Sequence, residues 1–72
     1  MTIKEKLALL EETLEIDEGT LDTDMELDDI EEYDSLAKLS IIVMMEDRFG
    51  IKLSADTVRG FEKVGDILEQ MK

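Results

Sequence analysis

Apolar residues in this chain return mostly at spacings of three and four and show no sustained strand-like alternation with polar ones, which leaves helices as the regular element. The clearest stretch is "TIKEKLALLEETLEI", where Ile3, Leu7, Leu10 and Leu14 fall on one face. Thr2 with Glu5 three residues later fits a capping box, each side chain satisfying an unpaired backbone N–H of the other. Gly19 and the turn formers around it predict the end of that segment.

A second helix should run from about Ser35 to Phe49, with Asp34 as its N-cap and Gly50 just past its last turn. Leu39, Ile42, Met45 and Phe49 form its expected core stripe. Leu36, Ser40, Val43 and Asp47 share a different side, with Met44 beside them. Because "IIVMM" is apolar all round, this helix is either buried on several sides or keeps a sticky exposed face. "SADTV" predicts a short third helix capped by Ser54 and stopped near Gly60. "KVGDILEQMK" predicts a last helix with Val64, Ile67, Leu68 and Met71 inward. The expected fold is all-α: a four-helix bundle of three longer helices and one short one, forming a single domain over residues 1–72.

The first connection is long. Between Asp17 and Asp34, Leu21, Met25, Leu27, Ile30 and Tyr33 stand singly among acids. No basic residue occurs between Glu11 and Asp34, so disorder is one reading. The regular return of apolar residues favours the other, an ordered loop laid across the domain.

Composition narrows the chemistry. A chain of 72 residues buries only roughly 60% of its unfolded surface and has little room for a walled catalytic cleft. It has no cysteine, which excludes disulfides and thiolate metal sites and suits a reducing compartment. It has no histidine either, which removes the usual general base and the commonest metal ligand. The net charge of -12 would repel nucleic acid and anionic membranes and attract proteins with basic surfaces. No segment suits membrane insertion or secretion, so the expected location is cytoplasmic.

Ser35 opens the second helix and admits several roles. As a nucleophile it has only Lys38, one turn on, to activate it, and both would lie on a surface. The acids around Asp22 to Asp28 fail the calcium-loop pattern, with Leu27 where glycine is required and Tyr33 where the bidentate glutamate belongs. No metal site is expected. A modified Ser35 would place a phosphodiester near free backbone amides at a helix N-terminus, although Asp34 would oppose that charge. On the dipeptide alone, a plain helix cap is the simpler account.

The order of pieces along the chain points elsewhere. Asp34, Ser35 and Leu36 precede an apolar helix carrying Glu46, Asp47 and Phe49; Leu53 follows, then Val64, Gly65, Asp66 and Ile67. This pattern resembles the acyl carrier protein family, the phosphopantetheine-binding carrier domains, over nearly the whole chain. The resemblance implies a non-enzyme with a 4′-phosphopantetheine arm, derived from coenzyme A, on Ser35, flanked by Asp34 and Leu36. It also implies acyl groups carried as thioesters, as in fatty-acid, polyketide or related synthesis. The second helix would be read by basic patches on a phosphopantetheinyl transferase and on acyl-transferring or synthase enzymes, which maps to Leu36, Val43, Met44, Glu46 and Asp47. Val43 and Met44 suit core packing equally well. The carrier would act as a monomer. The alternative is an unmodified acidic helical adapter for a basic partner.

Three departures from the family pattern stand out. "EEY" replaces the usual Leu-Gly-x before Asp34, leaving Ile30 and Tyr33 to do the packing. Lys38 and Ser40 make the second helix less negative than is usual for fatty-acid carriers. Lys63 stands where a capping Ser or Thr is common, so the last helix should start weakly capped.

Overall fold

A computed structural model describes residues 1–71, in which four helices follow one another: α1 (Ile3–Leu14), α2 (Ser35–Phe49), α3 (Ala55–Arg59) and α4 (Val64–Gln70). The bundle is all-α, as the periodicity predicts, and α1 packs against both α2 and α4. Lys72, at the end of the expected last helix, lies outside the described residues.

α1 begins as its sequence dictates. Thr2 Oγ1 accepts from Glu5 N at 3.1 Å, while Thr2 N donates to the Glu5 carboxylate at 2.9 Å. That backbone hydrogen bond holds the Glu5 carboxyl below the usual carboxylate range. Leu10 and Leu14 are buried and Leu7 is half-buried, but Ile3 is 61% exposed and drops out of the stripe. The helix stops before Gly19: Glu15 takes the left-handed conformation at φ 59°, and its N–H reaches back to the carbonyls of Glu11 and Glu12. An L-residue pays about 1–2 kcal/mol for that backbone shape, whereas glycine does not. Glu15→Gly should therefore stabilise the fold by about 1 kcal/mol and raise the melting temperature by about 4–8 °C. A melting temperature that stays level or falls would show that the Glu15 side chain contributes more than the strain removes.

The acidic connection is ordered. Leu21, Leu27 and Ile30 are buried in the same cluster as Leu10, Ile41 and Met45, with Leu27 in a short 3-10 helix over Leu27–Asp29. Glu11 on α1 is buried as well, and its carboxylate accepts from Leu21 N at 2.8 Å, pinning the loop to the helix. At its far side the loop pairs with the start of α4 through an antiparallel bridge, Glu26 to Lys63.

That pairing corrects the expected weak start of α4. Lys63 offers no acceptor, yet Val64 N donates to the Met25 carbonyl and Gly65 N to the Thr23 carbonyl, both at 3.0 Å. Asp66 then accepts from Glu62 N and Lys63 N, which holds its carboxyl below the usual range. Loop backbone thus satisfies donors that a side-chain cap would otherwise serve. Gly65 is matched to this contact, since a Cβ there would come within 3.2 Å of the Thr23 carbonyl oxygen.

α2 spans the predicted residues and ends at Gly50, whose φ of 67° suits glycine. Its rotation differs from the expected one. The buried residues are Ala37, Ile41, Met44 and Met45; of the expected stripe only Met45 is fully buried, Ile42 and Phe49 are half-buried, and Leu39 faces outward. A run that is apolar all round has no single hydrophobic direction, so packing against α1 and the loop selects the face. α3 contributes Val58, with Ser54 as its cap, and α4 contributes Val64, Ile67 and Leu68.

Candidate functional site

Two serines sit at helix starts in this fold, and their surroundings differ. Ser54 is an N-cap: its Oγ accepts from Thr57 N at 3.1 Å and lies 3.0 Å from the Thr57 hydroxyl. Ser35 is the first residue inside α2, and the capping falls to Asp34, whose carboxylate accepts from Ala37 N at 2.8 Å. Among the described residues no hydrogen bond engages the Ser35 hydroxyl, and the residue is exposed. The cap reading thus applies to Asp34 and leaves Ser35 unaccounted for.

Beyond Ser35 the outer side of α2 carries a row of solvent-facing apolar side chains. Leu36 is 71% exposed, Leu39 56% and Val43 59%. Glu46 and Asp47 follow at the exposed far end. Of the expected contact residues, Leu36, Val43, Glu46 and Asp47 therefore share this surface. Met44 does not; at 8% exposure it belongs to the core, which resolves its two readings in favour of packing. Leu39, expected in the core stripe, lies on this exposed side instead. The spacing Leu36, Leu39, Val43, Glu46 is itself helical and begins beside Ser35; of these four only Leu39 was expected in the core stripe.

Tyr33 closes the near end. It packs against the core with Ile30, as the departure from Leu-Gly-x implies, and Lys38 Nζ lies 5.5 Å from its ring centroid. Its hydroxyl is buried without a partner among the described residues. Burial pushes the phenol's pKa up, and the charge of Asp28 adds to the effect.

A family whose description is "Phosphopantetheine attachment site" matches residues 7–70. The chain belongs to that family. Two proteins described as "Acyl carrier protein", from Tropheryma whipplei strains Twist and TW08/27, are each 33% identical over 54 residues. Those matches cover 75% of this chain and 66% of the relatives, just under two thirds of their length. No solved structure matches the chain.

The prosthetic group of this family is 4′-phosphopantetheine, and the residues here fit it. Its attachment needs a hydroxyl that is exposed and free of structural duty, which Ser35 supplies. The N-terminus of a fifteen-residue helix also favours the phosphodiester's negative charge.

Proposed function

We propose that this chain is an acyl carrier that bears its 4′-phosphopantetheine arm on Ser35. The observation that carries this reading is the division of labour at the head of α2, where Asp34 caps the helix and leaves the Ser35 hydroxyl exposed and unpartnered. In loading, Ser35 Oγ would bond to the phosphorus that bears the pantetheine, the pyrophosphate P–O bond of coenzyme A would break, adenosine 3′,5′-bisphosphate would leave, and the hydroxyl proton would pass to a base of the transferase. When attached, the arm would supply a terminal thiol able to hold an acyl group as a thioester. The chain supplies position and address and relies on other enzymes for catalysis. A tethered intermediate stays at high effective concentration near each enzyme visited.

The exposed apolar row and its acidic end suit partners with a basic-rimmed apolar depression, namely a phosphopantetheinyl transferase and acyl-transferring enzymes of fatty-acid, polyketide or related synthesis. No helix among the described residues is long and apolar enough to cross a membrane. The carrier operates as a cytoplasmic monomer, and the single hydrophobic core shared by its helices supports one domain over the described residues.

Incubating the purified chain with coenzyme A and a broad-specificity phosphopantetheinyl transferase, then measuring intact mass, tests the reading. One added phosphopantetheinyl group is expected. An unchanged mass would favour the adapter, for which the same apolar row would be a docking surface alone. Asp47→Lys should slow loading about tenfold at low salt through lost steering, with little change in stability. Equal rates for the variant and the parent chain would remove Asp47 from the interface.

A further inference from the structure

Lys38 is the first basic residue after Lys6, and it stands one helical turn from Ser35. A lysine beside so acidic a stretch should find a carboxylate. Among the described residues it makes no ion pair. Its ammonium lies instead over the Tyr33 ring, 5.5 Å from the centroid. Asp34, one turn back, is already committed, its carboxylate accepting from Ala37 N at 2.8 Å.

The ring is a fixed platform, because Tyr33 packs against the core and its hydroxyl is buried. Tyr33 precedes the capping Asp34, and Lys38 is the fourth residue of α2. Those two positions form a hydrophobic staple at a helix start, for which the aliphatic stem of a lysine suffices. The staple accounts for the stem and leaves the charge without a role. A ring face attracts a cation, yet it satisfies none of the three N–H donors as an anionic oxygen would.

We propose that Lys38 is the counter-ion of the phosphodiester on Ser35, kept at the head of α2 by the Tyr33 ring until the arm is attached. The proposal rests on Ser35 as the attachment residue. Residues three apart on a helix are neighbours, with about 5–6 Å between their Cβ atoms, so a flexible lysine stem reaches a group on the serine oxygen. The phosphodiester brings negative charge to a place that already holds Asp34, with Glu31 and Glu32 exposed just before it. One amide at the helix start, Ala37 N, is taken by Asp34 and is not free for a phosphate. The other cation of α2, Arg48, is thirteen residues from Ser35, about 20 Å along the helix at 1.5 Å per residue. Lys38 therefore offsets the repulsion that Asp34 would otherwise exert on the loaded serine.

The test is a thermodynamic cycle between loading and the Lys38 charge. The parent chain and Lys38→Met, which keeps the stem and drops the charge, are each loaded to completion from coenzyme A and checked by intact mass. A parent that takes up no arm, or takes it up away from Ser35, would overturn the attachment reading itself. At low salt, loading should lower the melting temperature by about 2–4 °C more in Lys38→Met than in the parent, the size of one surface ion pair in a chain this long. The staple is present before and after loading, so its contribution cancels from that difference. Lys38→Arg should behave as the parent. At about 1 M salt, where the screening length is about 3 Å, the difference should shrink. The phosphorus NMR resonance of the phosphodiester should also differ between loaded parent and loaded Lys38→Met, and Lys38→Arg should restore it. No difference in melting, or one that salt leaves unchanged, would reduce Lys38 to a staple and overturn the proposal. So would a Lys38→Met chain that folds but takes no arm, since the charge would then act on the transferase.

Discussion

Ser35→Ala should abolish loading from coenzyme A while leaving stability within about 0.5 kcal/mol of the parent chain. The hydroxyl makes no hydrogen bond among the described residues, and alanine is the better helix former at an exposed first-turn position. The neighbouring substitution should behave in the opposite way. Asp34→Ala removes the acceptor of Ala37 N and should cost about 1 kcal/mol, within the range of about 0.5–2 for lost N-caps. Ser54→Ala provides the control: it deletes a capping serine, should cost a similar amount, and should still load fully. Intact mass and urea unfolding on the three variants separate the roles. A mass gain in Ser35→Ala would move the attachment elsewhere. A loss of 1 kcal/mol or more in Ser35→Ala, beside a neutral Asp34→Ala, would return Ser35 to the status of a cap.

A second large effect should come from the core side of α2. Ile41 is fully buried, and Ile41→Ala should cost about 2–5 kcal/mol through lost transfer energy and the cavity left behind. Total stability for a chain of this size is of order 4–11 kcal/mol, so that loss alone is a large fraction of it. Ile41→Val, at about 0.5–1.5 kcal/mol, keeps the comparison measurable if the alanine variant does not fold. Leu39→Ala, two residues away and facing solvent, should change stability by less than about 0.5 kcal/mol. If Leu39→Ala proved costly and Ile41→Ala mild, α2 would be turned as its apolar spacing alone suggests. The same pair separates fold from surface, because the residue that contributes little to the fold is the one left facing solvent.

These two experiments meet at a boundary between what the residues declare locally and what they leave open. The caps at the starts of α1, α2 and α3 and the end of α2 were legible, because each depends on groups within a few positions: Thr2 with Glu5, Asp34 with Ala37, Ser54 with Thr57, and Gly50 in a conformation suited to it; the end of α1 was not, since Glu15 rather than Gly19 takes the left-handed turn. Ser35 could be singled out from the ordered motifs around it. The departure at Tyr33 was also readable as a packing substitution, although its unpartnered hydroxyl was not.

Contacts between segments distant in sequence carry no such local mark. The acid at Glu11 looks like any other on α1 until Leu21 presents its N–H to it. Lys63 promised a frayed α4, yet carbonyls of Thr23 and Met25, some forty residues earlier, satisfy the helix start. The amino-acid sequence by itself determined that the chain is helical, where most helices begin and end, and which hydroxyl stands at the head of α2. Only the tertiary structure decided which side of α2 is buried. A helix with apolar residues on every side has no preferred direction of its own, so the surfaces of α1 and the acidic loop chose Ile41 and Met44 for the core and left Leu39 and Val43 outside.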